Sequence, residues 1–531
     1  MKKRTLTALT ALLLVCALML TACGGSSSTA SSVPASSTVT TGIPEAVANT
    51  EKSDETLTVM LNAEPDTMLA GVMNEGACIV QNTFAESILR YDPETKGWLP
   101  GICTGYETVD DTHYTFELRE GVTYSDGTPV TVDDIIFSLG WFKEAGNSNA
   151  QYINMEETVK IDESHFTLAL TEYVPGWETF INGTGMVIIS EAGLEAVGGA
   201  EGASRTPPAT VGRYIFKEWE PGSYITVERN DNYYDSEYVG YYKTIRFVFV
   251  ADSASRVLSL QSGDADVALR LSTADMMTVE ADSNLQALIV NTGIYNVYFN
   301  NTNGPCADPK VREALTYAID GAAVNAAVMM NKGEVVRSFS LPEFVYYKDF
   351  DLIETDTEKA KELLAEAGYP NGLDLYLPVI KTHANVATVV QESLRQAGVN
   401  VTVETIEQQS FLEKTRNSEF DMIVGSKQLT ALATNALTQV NPALAGRNPQ
   451  NVWPNAEQAE VLNEMIVRCN SSDEAVRAQA WDEIQTYIFD NYMLAPTCTS
   501  HLYAAMKADL EGYSSCNIMD YADVTEIHPV A

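Results

Sequence analysis

The chain has 531 residues, 33 of them basic and 72 acidic, for a formal charge of −39 at pH 7. Hydrophobic residues make up 45% and charged ones 20%, an ordinary globular balance that excludes wholesale disorder and predicts several domain-sized units with cores of their own. Phosphates would be repelled by so acidic a body, which excludes nucleic acid and simple electrostatic adhesion to anionic lipid, and eight cysteines are too few to build a disulfide scaffold.

Lys2, Lys3 and Arg4 open the chain, and an apolar run of about 15 residues follows from Leu6 to Leu20. That length suits a signal peptide, whereas a spanning helix needs about 20 residues. The run ends in Leu20-Thr21-Ala22-Cys23-Gly24, which resembles the bacterial lipoprotein signal. The resemblance implies cleavage after Ala22, a diacylglycerol on the Cys23 sulfur and palmitate-like acylation, the alternative being an ordinary secretory signal with an incidental cysteine. Residues 24–56 are rich in Ser, Thr, Ala and Pro without an apolar period, so nothing there offsets the entropy of ordering. They are expected to form a flexible tether spanning about 30 Å. Losing residues 1–22 removes three positive charges and takes the net charge from −39 to −42. An anionic membrane face would weakly repel such a body, and two acyl chains on Cys23 would hold it there.

Along the body, Leu57–Leu61 reads as a strand and Asn62–Asp66 as the loop after it. Tyr114, Phe116 and Leu118 alternate with Thr115, Glu117 and Arg119, the pattern of a half-buried antiparallel strand. Val122–Tyr124 reads as a second short strand, Ser125-Asp126-Gly127 as a turn, and Thr131 as a helix N-cap with Asp134 completing a capping box. Ile135, Ile136 and Leu139 form that helix's apolar face. Further on, Asp308 caps a helix with Pro309 at N1 and with Val311, Leu315, Ala318 and Ile319 on one face. Thr355 or Asp356 starts another helix, which Gly368 ends. A third helix spans Val386–Gln396, closed by Gly398, and Val399–Val403 is the strand after it. Alternating helices and strands of this kind imply α/β architecture.

The segment Tyr114–Ser138, YTFELREGVTYSDGTPVTVDDIIFS, resembles the signature of the family 5 extracellular solute-binding proteins, the peptide- and nickel-binding subunits of ABC importers. Phe84–Pro93, Gly212–Tyr234, Ser259–Ala268 and Tyr295–Asp320 match further family segments in order. The resemblance implies a two-lobed, periplasmic-binding-protein-like α/β fold of class II with an added subdomain in the first lobe. It places lobe I at 57–270 with the subdomain at about 80–205, lobe II at 271–495, and a C-terminal return to lobe I over 496–531. It implies hinge closure on a small, peptide-like solute and delivery to permease subunits driven by their ATPases. The chain would work as a monomer on the outer face of the cytoplasmic membrane, with no cofactor and no metal.

Linear catalytic motifs are absent: there is no GxSxG elbow, HExxH, phosphate-cradling loop or CxxC pair, and the five histidines are scattered. A secreted lipoprotein hydrolase therefore lacks positive support, and an orphan solute sensor on the same fold is the other alternative. Outside the signal peptide and Cys23, the cysteines are 78, 103, 306, 469, 498 and 516, and the sequence does not choose between pairing and free buried thiols.

A two-lobed binder holds its ligand at strand ends and helix N-termini. Candidate ligand-binding residues are Asn62 and Glu64 in the loop after the first strand, where Met68-Leu69-Ala70 departs from the family's Leu-Asp-Pro. Tyr295, Asn296 and Tyr298 are candidates in the strand entering lobe II. His383 and Asn385 stand before the Val386 helix, where plain helix capping is the competing role. Lys427 and Gln428 follow the strand Phe420–Val424. Relatives that bind peptides place an acidic residue there for the peptide α-amine. In this chain no Asp or Glu occurs from Met422 to Ala456, and Lys427 and Arg447 are the only charges. The amine anchor is therefore absent or supplied elsewhere, by Glu64, and a neutral or anionic solute becomes the expectation.

Overall fold

The computed structural model describes residues 52–71, 75–92, 94–95, 97–182, 186–342, 344–427, 437, 439–444, 451–515 and 521–530. Cys23, residues 24–51 of the expected tether, Gln428 and Cys516 lie outside them, whereas residues 52–56, expected as the tether's end, join the body: the Ser53 N–H donates to the Tyr241 carbonyl at 2.9 Å and Thr56 opens a strand. Among the described residues no helix is long and apolar enough to cross a membrane.

An eight-stranded mixed sheet runs through the body in the order Met422–Lys427, Leu285–Phe299, Leu494–Lys507, Val267–Leu271, Thr56–Leu61, Thr244–Phe249, Tyr224–Arg229, Tyr214–Glu220. Its middle is parallel: Thr56–Leu61 pairs in parallel with both Thr244–Phe249 and Val267–Leu271. Leu57, Val59, Phe247 and Val267 are fully buried there. That is expected of parallel strands covered on both faces, whose sequences read as apolar runs.

The two strands Leu285–Phe299 and Leu494–Lys507 are far longer than their neighbours. They pair antiparallel from Leu285–Lys507 to Tyr298–Leu494, with irregularities at Asn291/Gly293 and Ile294/Asn296. At one end Ala504 and Met506 pack into the core of the first lobe with Leu57, Val59 and Phe247. At the other, Ile294, Tyr298 and Leu494 pack into a second-lobe core with Trp453, Trp481 and Ile484. One continuous pair of strands thus carries the chain between lobes, and the fold is the two-lobed binding-protein fold. The bulges break the ladder at the crossing, where a sheet bends most easily.

An added subdomain has its own four-stranded antiparallel sheet, Cys103–Thr108, His113–Leu118, His165–Ala169 and Val159–Lys160, and its own core around Phe116, Phe166, Ile135 and Trp177. Tyr114 and Phe116 face inward as the alternation predicts. Thr131 caps the helix Val132–Glu144, and the reciprocal bonds with Asp134 form the full capping box. Val122–Tyr124 is not a strand; it makes only an isolated bridge, Thr123 to Pro129, because a three-residue run returning after Gly127 has no second partner.

In the second lobe Asp308 accepts the Lys310 N–H with Pro309 at N1. Ile319 ends that helix as its extended C-cap rather than continuing its face, since Asp320 starts the next helix. Asp356, not Thr355, is the following N-cap. Gly368 and Gly398 take left-handed φ values of 94° and 84°, where a Cβ would be strained. The strand expected at Phe420–Val424 forms at Met422–Lys427. Phe420 instead turns inward, its ring edge-on to Trp453 at 4.9 Å.

The C-terminal segment closes back on the first lobe. Leu510, Ala522, Val524 and Ile527 enter its core, and Arg213 pairs with Asp523 at 2.7 Å and Glu526 at 2.8 Å. Cys103, Cys306, Cys469 and Cys498 are buried free thiols, and Cys78 is buried as well. Burial raises the thiols of Cys103, Cys306, Cys469 and Cys498 above their ordinary range, the last two to about 12, so they pack as small apolar residues.

Candidate functional site

Three parallel strands end side by side in the first lobe, at Leu61, Phe249 and Leu271. The carboxyl edge of such strands is where open α/β folds bind ligands. The loop Asn62–Asp66 leaves the first of these ends, and the helices Ser253–Ser262 and Thr273–Glu280 start beside the other two. The crossing strands run next to this edge, which makes it the floor between the lobes.

Asn62 is exposed in this loop. Glu64 is already occupied: Trp219 Nε1 donates to one carboxylate oxygen at 2.8 Å and the Gly222 N–H to the other at 3.0 Å. Arg205 lies 3.8 Å from the same carboxylate and over the Trp219 ring at 4.1 Å. Gly222 has φ 72° in the turn after Glu220, which aims its N–H at Glu64. With both oxygens engaged, Glu64 acts as a staple between the first loop and the Trp219 strand. Serving as an amine anchor would mean sharing those oxygens with the two bonds already made.

Tyr295, Asn296 and Tyr298 do not share a face, because side chains on a strand alternate with period two. Tyr295 packs with Val297 and Phe299 against the core on one side of the sheet. Asn296 and Tyr298 are almost completely buried on the other, and the Asn296 amide donates to the Tyr298 hydroxyl at 3.4 Å. The three candidates are therefore divided between the two sides of the sheet. Tyr295 instead meets His383, ring centroids 6.2 Å apart and edge-to-face. Desolvation at this contact lowers the His383 pKa below its ordinary value, so its imidazole is neutral at pH 7.

The helix expected to begin at Val386 begins at Ala384, with His383 at its N-cap and no side-chain cap bond. Neither Asn385 nor Thr382 caps it, and Asn385 is exposed within its first turn. Lys427 ends its strand opposite Ile294. Beside it, Ser426 Oγ meets Ser500 Oγ at 2.6 Å, and Thr292 Oγ1 donates to the Ser500 carbonyl at 3.1 Å. Thr499 Oγ1 bonds His501 Nε2 at 2.9 Å. The crossing is thus lined with hydroxyls from three strands.

Two further groups escaped the sequence reading. Arg270 ends the strand Val267–Leu271 in the left-handed region, φ 57°, and pairs with Glu75 in the first turn of the helix Glu75–Phe84. Its signal was a lone arginine inside the apolar run Val267–Leu271. The other is Tyr173, whose hydroxyl receives a hydrogen bond from Arg477 Nη1 at 3.3 Å. That contact joins the subdomain to the second-lobe helix Glu474–Asp490, and no sequence pattern pairs residues so far apart. Among the described residues no group of three or more His, Cys, Asp or Glu could hold a metal ion.

Two lobes on crossing strands with a polar floor at strand ends are the architecture of a solute-binding protein. Residues 97–448 match the family "Bacterial extracellular solute-binding proteins, family 5 Middle", and the chain belongs to that family, whose members bind and do not catalyse. It is 27% identical over 430 residues to the oligopeptide-binding protein AppA of Bacillus subtilis, covering 75% of this chain and 78% of that protein. It is also 27% identical over 460 residues to the heme-binding protein A of Haemophilus influenzae, covering 78% and 81%. Among solved structures, the ABC transporter substrate-binding protein CtaP of Listeria monocytogenes superposes with a TM-score of 0.78 at 18% identity, over 90% of this chain and all of that one.

Proposed function

We propose that this chain is the substrate-binding subunit of an ABC importer, tethered to the outer face of the cytoplasmic membrane through a lipid on Cys23. It captures a small, peptide-like solute between its lobes and presents it to the permease. The observation that carries this reading is the pair of crossing strands, bulged where they pass between two separately packed cores, in a member of family 5. A solute touching both lobes only when they are closed shifts the open–closed population by its differential affinity. A micromolar affinity corresponds to about −8 kcal/mol, net of the cost of closing. The relatives named for oligopeptide and heme support a solute with apolar and polar parts, which the Tyr295 ring and the hydroxyls of Thr292, Ser426 and Ser500 suit.

The test is native mass spectrometry of protein extracted gently from membranes, combined with X-ray scattering. The expected result is a diacylglyceryl-plus-acyl mass on Cys23, a co-purifying small molecule, and a smaller radius of gyration when that molecule is restored to stripped protein. An unmodified Cys23 would remove the anchor. Scattering unchanged by every solute offered would remove the capture mechanism.

A further inference from the structure

Residues 329–356 join the helix Gly321–Val328 to the helix Thr357–Glu366. Apart from one bridge, Val335 to Cys498, the described residues among them lie in no helix or strand. So long a connection without structure of its own is uncommon in a packed body and is usually functional. Its first part is fixed: the Val336 N–H donates to the Thr497 carbonyl at 3.1 Å. The connection thus runs along the edge of the strand Leu494–Lys507 that faces away from Leu285–Phe299.

Between this connection, that strand edge and the neighbouring helices lies a cavity of about 220 Å³. Val336, Leu352, Phe489 and Pro496 give it an apolar lining, and Leu352 is 43% exposed rather than packed into a core. Benzene fills an apolar cavity of about 150 Å³, so one ring or branched alkyl group fits here with space for a polar head. Two charged groups line the same cavity. The Arg337 side chain is 45% exposed, and among the described residues its guanidinium reaches only the Phe350 carbonyl at 3.4 Å and Asp349 at 3.9 Å, both longer than a good hydrogen bond. Glu354 is exposed and makes no hydrogen bond or ion pair among the described residues. A third, Asp320, is spent on its own helix, where it accepts the Ala323 N–H at 2.9 Å. An apolar lining with one loosely held cation and one unspent anion is complementary to a zwitterion with an apolar side chain.

We infer that this cavity is a solute site separate from the space between the lobes, and that it takes a free α-amino acid with an apolar side chain, such as leucine or phenylalanine. The carboxylate goes to Arg337, the ammonium to Glu354 and the side chain to the apolar lining. The cavity is built from second-lobe elements and the second-lobe end of the crossing strand, so the inference does not rest on capture between the lobes.

The probes are L-phenylalanine, its amide and N-acetyl-L-phenylalanine, titrated by calorimetry into the stripped full-length protein. L-phenylalanine is expected to fill one site and to bind at least about tenfold tighter than either blocked form, the scale of one charge-assisted pair. R337Q should erase the preference over the amide and E354Q the preference over the N-acetyl form, each leaving the other preference in place. Ala322 is exposed and lines the cavity, so A322F sets a ring in the recess and should abolish binding at an unchanged melting temperature. Should A322F lower that temperature, the two exposed charge variants decide. No binding of L-phenylalanine, equal binding of all three probes, or binding that R337Q and E354Q leave unchanged would each overturn the inference.

Discussion

Glu64 and His383 show how the same residue type changes role with its partners. A glutamate in the loop after the first strand is placed to take a peptide ammonium, yet the Trp219 indole and the Gly222 amide already engage both of its oxygens. His383 is placed to offer a charge to an anion, yet desolvation keeps it neutral. The sign of its effect on pH stability follows. A histidine whose folded pKa lies below its unfolded value of about 6.5 binds fewer protons in the native state. Stability is therefore fully present above about pH 6.5 and is lost as pH falls toward the depressed native value. H383Q, which does not titrate, should lose less stability than the parent between pH 7 and 5 in urea melts. Parallel curves for the two proteins would show that His383 protonates freely and is not desolvated. The buried carboxyls Glu86 and Glu178, both raised by burial, act in the opposite direction, so the difference between variant and parent is the quantity to read.

Elements in this chain form where local chemistry and tertiary burial agree. The helix Val132–Glu144 has a capping box at Thr131 and Asp134, two acids in its first turn, and Ile135, Leu139 and Phe142 on its buried side. T131A removes one arm of that box and should cost about 1 kcal/mol, read as a lower midpoint in urea with an unchanged slope. A midpoint identical to the parent's would mean that the subdomain core alone fixes this helix. The long strands behave differently. Leu285–Phe299 holds Tyr295, Val297 and Phe299 against one core and Ile294, Asn296 and Tyr298 against another. It is one element serving two layers, so no single apolar face marks it as a strand that joins lobes.

At the scale of the molecule, two links between the lobes stand out among the described residues. The crossing strands join them on one side. On the other, Tyr173 of the subdomain meets Arg477, which Tyr346, Glu474 and the Ser471 carbonyl hold in place in the second lobe. Space enclosed between a hinge and such a contact is what a closing binder needs. The Tyr173–Arg477 bond is thus a contact that the closing motion proposed above would make or break. Y173F removes one hydrogen bond worth about 1 kcal/mol and should raise the solute dissociation rate up to about fivefold, with little change in association rate. Stopped-flow release showing the parent's dissociation rate would mean that this contact does not hold the closed state. The −42 charge expected of the processed chain would keep such a body from adhering to anionic lipid on its own, so the tethering proposed above would rest on Cys23.

Much of this was written in local chemistry. The capping box at Thr131, the Asp308-Pro309 helix start and the glycine stops at 368 and 398 are set by a few adjacent backbone groups, so residue order alone locates them. The long motif Tyr114–Ser138 carried the family, and with it the two-lobed fold, because it preserves several such local decisions in sequence. What tertiary structure decided was which polar groups remain free. Pairs such as Glu64 with Trp219, Tyr295 with His383, Arg270 with Glu75 and Tyr173 with Arg477 join residues far apart in the chain. A ligand can use only the donors and acceptors that such pairings leave unspent, and those pairings exist only once the strands have crossed and the lobes have packed.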